Sequence, residues 1–242
     1  MKNYLVFDTE TTGLPKTGEI SYAKLDLWPH PVQLSYAIYN KDSDEVVKVR
    51  DYLLKLPDHM KINAESIKIH GITDEMLQRK GVNFEEIVEE LAEDFQGADC
   101  LIAHNINFDM NILKTTLMRY LLRIKDSSEN MVVTRSVEKR KKVMGDFLTS
   151  LLDEKNSIPQ FCTMKESIQL CRIVKVNKFG YRYLKFPKLI ELHKFLFQCE
   201  PRNLHNALND ILICLRCFCK LKYDYDIVDK NIKIKKMIEP LL

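Results

Sequence analysis

The apolar run Tyr4-Leu5-Val6-Phe7 ends at two carboxylates, Asp8 and Glu10, which lie one residue apart in the stretch Val6-Phe-Asp-Thr-Glu-Thr-Thr-Gly-Leu14. A strand alternates its side chains, so both acids share one face if the chain stays extended. Like charges held beside an apolar sheet disfavour ionisation of both. In isolation the pattern is satisfied by a solvated strand end followed by a Thr-Thr-Gly turn. If distant acids join it, the same pattern becomes a cluster that requires a counter-charge.

The surrounding periodicities define the frame in which other acids can approach. Tyr4–Phe7, Val32–Tyr39 and Val46–Leu54 read as strands joined by turn-rich segments such as Asn40-Lys-Asp-Ser-Asp44, which predicts an antiparallel meander. Asn83 and Glu86 predict a capping box, followed by Phe84, Ile87, Val88, Leu91 and Phe95 at helical spacing up to Gln96-Gly97. Cys100–Ala103 is a short apolar strand that gives way at His104-Asn105 to a helix carrying Phe108, Ile112, Leu113 and Leu117, with Asp109 in its first turn. A later helix bears Leu208, Ile211, Leu212, Leu215 and Phe218 on one stripe, with Asp210 beside it. Strands first, then helices alternating with a further strand, predict an α/β layered domain with a mixed sheet.

At 242 residues and 45% hydrophobic content the chain suits one large domain. No apolar run approaches the ~20 residues of a membrane span, and the N-terminal residues lack a signal-peptide layout, which predicts a soluble intracellular protein, cytoplasmic or nuclear. The seven cysteines are odd in number and irregularly spaced, as expected for reduced thiols. Cys214, Cys217 and Cys219 sit inside an apolar helical pattern and read as core rather than as a zinc site. Charge is segregated. Residues 1–113 hold 11 Lys and Arg against 20 Asp and Glu, a net −9, and residues 114–242 hold 26 against 14, a net +12. An acidic metal-binding half and a basic half facing an anionic polymer would divide in this way. The segment about 125–160, with Glu138-Lys-Arg-Lys-Lys142, reads as a partly helical insertion on the rim, and 226–242 as a basic tail, its charges forming a solvated surface or a mobile arm.

Three separated pieces each place an acid or a histidine at the end of an apolar element: Asp8 and Glu10, Asp109 in Ala103-His-Asn-Ile-Asn-Phe-Asp-Met, and His205 with Asp210 in Leu204-His-Asn-Ala-Leu-Asn-Asp. In this order, and with Ile69-His-Gly-Ile-Thr73 and Pro31-Val-Gln-Leu-Ser-Tyr-Ala-Ile38 between them, the chain resembles the DEDDh 3′→5′ exonuclease family. That class includes the proofreading subunit of bacterial replicative DNA polymerase and ribonuclease T, and the resemblance covers roughly residues 3–222. It implies a ribonuclease H-like mixed sheet flanked by helices, with the exonuclease domain at 1–225.

The resemblance further implies that Asp8, Glu10, Asp109 and Asp210 bind two divalent ions, Mg²⁺ or Mn²⁺, and that Glu10 and His205 are catalytic, with His205 the general base. Oxygen ligands suit such hard ions, and a two-ion site serves both ends of an in-line displacement at phosphorus. His205 lies five residues before Asp210, roughly 140° round an ideal helix, so it can reach the site only from a loop leading into that helix. Thr11, Leu14, Ile69, His70, Asn105 and Phe108 would hold the terminal nucleotide. The implied partner is a nucleic-acid 3′ end, single-stranded DNA or RNA, with a polymerase or other replication protein as a further partner and no membrane. DNA is the preferred substrate, because longer members with the His-Gly-Ile-Thr segment resemble DNA-trimming proteins. RNA trimming is the alternative, ahead of a non-catalytic nucleic-acid-binding module. Asn206 and Asn209 depart from the family pattern, which often has a charged residue after the histidine and a second acid before the final aspartate.

Overall fold

The computed structural model describes residues 2–128 and 135–242. Strand β1 (Asn3–Thr11) is the centre of a five-stranded sheet. On one side it pairs antiparallel with β2 (Pro31–Asn40), which pairs antiparallel with β3 (Glu45–Leu53). On the other side it runs parallel to β4 (Cys100–Ala103), which is parallel to β5 (Gln160–Cys162), so the order is β3-β2-β1-β4-β5. The carboxyl ends of β1, β4 and β5 therefore open on the same edge of the sheet.

Between β3 and β4 lie three helices, α1 (Ala64–His70), α2 (Asp74–Lys80) and α3 (Phe84–Gln96). After β4 come α4 (Ile106–Ser128) and α5 (Arg135–Leu152), and after β5 the short helices α6 (Thr163–Glu166) and α7 (Ile168–Cys171). A two-stranded ribbon of β6 (Val174–Val176) and β7 (Arg182–Leu184) precedes α8 (Leu189–Phe197). The chain closes with α9 (Ala207–Tyr223), α10 (Ile227–Lys230) and α11 (Ile232–Ile238).

Alternation along β1 sorts the two layers. Leu5 and Phe7 point into a core shared with α3, α4 and α5, where Phe95 meets Phe7 and Phe147 edge-on at 5.0 and 5.5 Å. Tyr4 and Val6 point the other way, into a core built on α8, α9 and α11. By the same alternation Thr9 faces the α4 side, whereas Asp8 and Glu10 face α9. The apolar run thus sets not only where the acids stand but which helix they meet.

Three expectations are corrected. Helix α3 starts at Phe84 as its spacing predicts, but there is no capping box, because the Asn83 amide donates to the Glu86 carboxylate instead of accepting from the backbone. The described part of the 125–160 segment is not a rim feature. Met144, Phe147, Leu148 and Leu151 of α5 are buried in the main core, and Lys139 pairs with Glu89 of α3 at 2.6 Å. Residues 129–134 of that segment lie outside the described residues. The basic tail is docked rather than mobile: Ile234, Ile238 and Leu241 are buried in the second core, and the Arg202 N–H donates to the Leu241 carbonyl. Cys214, Cys217 and Cys219 are buried in that core on α9. Among the described residues no helix is long and apolar enough to cross a membrane.

Candidate active site

Four carboxylates converge at the carboxyl ends of β1 and β4. Asp8 and Glu10 come from β1, Asp109 from the first turn of α4 and Asp210 from the first turn of α9. Two of them are fixed through one oxygen. Thr9 donates to Asp109 Oδ1 from both its N–H (3.0 Å) and its hydroxyl (2.7 Å), and the His205 N–H donates to Asp210 Oδ2 at 3.0 Å.

The electrostatics of the cluster are unfavourable as it stands. Burial, then the charges of Asp109, Asp210 and Glu10, push Asp8 well above the usual carboxylate range. Burial, then Asp210 and Asp109, push Glu10 up to about 8. Burial raises Asp109 to about 7, against the Thr9 hydrogen bonds, and raises Asp210 to about 7, against the His205 N–H. Every side-chain charge that shifts Asp8 and Glu10 is negative, so the set lacks the positive charge that would let all four ionise.

His205 stands two residues ahead of α9, exposed, in left-handed backbone with φ +68°. One ligand atom from each of Glu10, His205 and Asp210 lies within 4.8 Å of the others. The loop that presents His205 is held by the two asparagines that depart from the family pattern. Asn206 caps α9 by accepting from the Asn209 N–H at 3.4 Å, and the Asn209 amide donates to the Asn203 carbonyl at 2.8 Å.

The other expected residues are presented unevenly. The Thr11 side chain is turned inward and donates to the Gly13 carbonyl at 2.6 Å. Leu14 is 82% exposed and Ile69 57% exposed, which excludes ordinary core packing for both. His70 is buried. Its Nδ1 accepts from the Ile72 N–H at 3.0 Å, so Nε2 carries the proton and faces the Thr11 backbone, against the burial that lowers the ring's pKa. Asn105 adopts φ +73° and its carbonyl accepts from the Phe108 N–H at 2.8 Å, which starts α4 with Phe108 half-buried beside Asp109 in sequence.

Sequence reading overlooked Gln33 and Asp51. Gln33 lies opposite Glu10 in the β1–β2 register and is 2% exposed; its Oε1 accepts from the Ala207 N–H at 3.2 Å and its amide donates to Asp51 at 2.7 Å. This polar chain runs from β3 to the start of α9. The available signal was a Gln and a Ser alternating within an otherwise apolar strand.

An exonuclease family model matches residues 5–218, nearly the whole chain. The chain belongs to the exonuclease family. Among curated exonuclease relatives, it is 29% identical over 132 residues to DNA polymerase III subunit epsilon of Pasteurella multocida, covering 53% of this chain and 47% of that one. It is 30% identical over 130 residues to the PolC-type DNA polymerase III of Listeria monocytogenes, covering 54% of this chain and 8% of that one. The chain therefore spans about half, or much less, of these relatives' length. Among solved structures, exonuclease I aligns over 95% of this chain and 43% of its own with a TM-score of 0.59 and 15% identity. E. coli exonuclease I in complex with a dT13 oligonucleotide aligns over 98% of this chain and 46% of its own, at 0.58 and 16%. At this identity the likeness establishes the shared fold, a ribonuclease H-like mixed sheet flanked by helices. Exonuclease-family members generally use divalent metals, and the four-carboxylate donor set of this member fits them, being oxygen-rich, crowded and short of positive charge.

Proposed function

We propose that this chain is a metal-dependent 3′→5′ exonuclease that acts on DNA and releases nucleoside 5′-monophosphates. The observation that carries the reading is the convergence of Asp8, Glu10, Asp109 and Asp210, from three separate elements, beside His205. The four carboxylates would hold two divalent ions, Mg²⁺ or Mn²⁺. When bound, such ions neutralise charge on the attacking and leaving oxygens of an in-line displacement.

The remaining work falls to the chain. A His205 ring nitrogen accepts a proton from the attacking water as that water's oxygen bonds to phosphorus. The bond from phosphorus to the 3′-oxygen of the penultimate nucleotide breaks, that oxygen takes a proton from solvent to become the new 3′-hydroxyl, and the terminal nucleotide leaves with its 5′-phosphate. His205 can do this because the Asn206 cap and the Asp210 carboxylate hold its backbone while its ring stays exposed. Thr11, Leu14, Ile69, His70, Asn105 and Phe108 would receive the terminal nucleotide. Leu14 and Ile69 offer exposed apolar surface to a base. Relatives that are DNA polymerase III subunits support DNA as substrate and a DNA polymerase as partner.

The test is a time course on 5′-labelled single-stranded DNA and RNA of one sequence, in Mg²⁺, Mn²⁺ or EDTA, with wild type and Asp8→Ala in parallel. A metal-dependent ladder shortening from the 3′ end, faster on DNA and missing with Asp8→Ala, is expected. No ladder from folded, metal-loaded protein on either polymer overturns the reading.

A further inference from the structure

The ribbon β6–β7 is a sheet of its own, and the catalytic reading makes no use of it. Isolated two-stranded ribbons are marginal in water, because each face has only half a partner. Here the strands are three residues long and apolar side chains stand in solvent on both faces. Val176 is 61% exposed, Tyr181 71% and Phe179, at the tip, 72%. The tip is nonetheless well built. The Asn177 side chain accepts from the Phe179 N–H at 2.9 Å and the Tyr181 N–H at 3.0 Å, and Gly180 supplies the positive φ of +84° that the turn requires.

The register gives the ribbon a chemical character. Lys175 is opposite Tyr183, and the Asn177 N–H donates to the Tyr181 carbonyl, so Lys175, Tyr181 and Tyr183 share one face. Arg182 emerges on the other. Between Glu166 and Glu191 the chain carries six cations and no acid. Lys185 is paired with Glu191 at the ribbon's base, but Lys175 and Arg182 have no acidic partner among the described residues. Tyr181 and Tyr183 beside the unpaired Lys175 on one exposed face, with Arg182 on the other side of the narrow ribbon, offer stacking surface and phosphate contacts together, which is what single-stranded nucleic acid requires.

The base of the ribbon is pinned to the edge of the sheet that carries the carboxylates. His104, immediately after β4 and five residues before Asp109, donates from Nε2 to the carbonyl of the buried Pro187 at 3.0 Å. Its Nδ1 accepts from the Thr163 hydroxyl, immediately after β5, at 2.9 Å. Burial holds His104 down at about 4, so it is neutral and this tautomer is fixed. The ribbon thus projects from the active edge with a rigid root and a bare blade.

We propose that the β6–β7 ribbon is a second contact for single-stranded nucleic acid. Tyr181 and Tyr183 stack on bases, and Lys175 and Arg182 meet phosphates of the strand upstream of the terminal nucleotide. That the strand runs on to the carboxylates rests on the nuclease reading above; the affinity of the ribbon does not.

The test measures binding of fluorescein-labelled dT20 and rU20 by anisotropy in EDTA, with turnover of dT3 in Mg²⁺ as control. The variants are Tyr181→Ala with Tyr183→Ala, Tyr181→Phe with Tyr183→Phe, and Lys175→Gln with Arg182→Gln. The alanine pair is expected to weaken dT20 binding at least ~10-fold while the phenylalanine pair binds as wild type, because stacking needs only the ring. The glutamine pair should lower the slope of log affinity against log salt by about 1.4, roughly 0.7 per lost phosphate contact. Turnover of dT3, which has little strand upstream of its terminal nucleotide, should be unchanged, and the ratio of dT20 to rU20 affinity reports which sugar the ribbon accepts. Unchanged binding of both 20-mers by the alanine pair overturns the proposal and leaves the blade to a protein partner. An equal loss on dT3 overturns it too, by making the ribbon part of the active site. Ribbon-dependent binding by a wild type that degrades nothing would refute the nuclease reading while sustaining this one.

Discussion

Asp8 concentrates the conflict between stability and function in a single residue. Burial, then three like charges, penalise its ionised form, so removing its charge relieves the cluster even as it dismantles the ligand set. Asp8→Asn is expected to lower turnover by ~1000-fold or more, in keeping with the several kcal/mol that bound ions contribute. It is also expected to raise the melting temperature in EDTA and to shrink the rise that Mg²⁺ gives to wild type. Differential scanning fluorimetry with and without Mg²⁺ checks both. His205 is separable from that set, because it holds Asp210 through its backbone N–H, which any residue but proline supplies, and acts through its ring. His205→Ala should lower turnover at least ~100-fold and keep the Mg²⁺-dependent melting shift. Near-normal turnover would remove the ring from the mechanism. The site residues were the most legible part of the sequence, because each acid sits at the junction of an apolar element and a turn. Gln33 was not, since its importance lies in a bond to Ala207, 174 residues away.

Two short connections keep elements in place around the cluster, and each fails in its own way. Gln33 joins β2 to the first turn of α9, where the buried Ala207 N–H has it as acceptor. Gln33→Leu leaves that donor unsatisfied, a cost of about 1–3 kcal/mol. As α9 also carries Asp210, turnover should fall about 10-fold through misplacement alone. Chemical denaturation and kcat on one preparation test the pair of effects, and a stability loss with unchanged kcat would detach Gln33 from the site. Gly71 ends α1 at φ +74°, and the space where a Cβ would stand is open. Gly71→Ala should therefore cost only the backbone penalty of about 1–2 kcal/mol, read from the same denaturation curves. This turn explains the His70-Gly-Ile-Thr73 segment as structure: His70 folds back onto the Ile72 N–H, and Thr73 caps α2 by accepting from the Met76 N–H. The strands were legible element by element, but α5 and α11 were not. Their lysine runs outweighed apolar residues that do recur at helical spacing, Met144, Phe147, Leu148 and Leu151 in one and Ile234 and Ile238 in the other. A charged face describes only the outside of a helix.

Across the whole molecule, two groups of acids pull the pH dependence of stability in opposite directions. Glu90 on α3 is held down at about 2, first by its hydrogen bonds to Arg50 of β3 and then by Lys48 and Tyr52. An acid lowered on folding stabilises the protein above its ordinary value near 4.5, and that contribution is lost as pH falls from there towards 2. The site acids have the opposite sign. Their values are raised on folding, so their contribution is complete below the ordinary carboxylate range and is lost as pH climbs through about 7 for Asp109 and Asp210 and about 8 for Glu10. In EDTA, thermal stability should peak near pH 5 and decline steadily to pH 8. Divalent ions replace the missing positive charge, so in Mg²⁺ the decline between pH 6 and 8 should largely vanish. Melting curves at pH 3, 5, 6.5 and 8 in both conditions decide it. A metal-free curve that is flat from pH 5 to 8 would mean that the four carboxylates do not repel one another as their burial and convergence require.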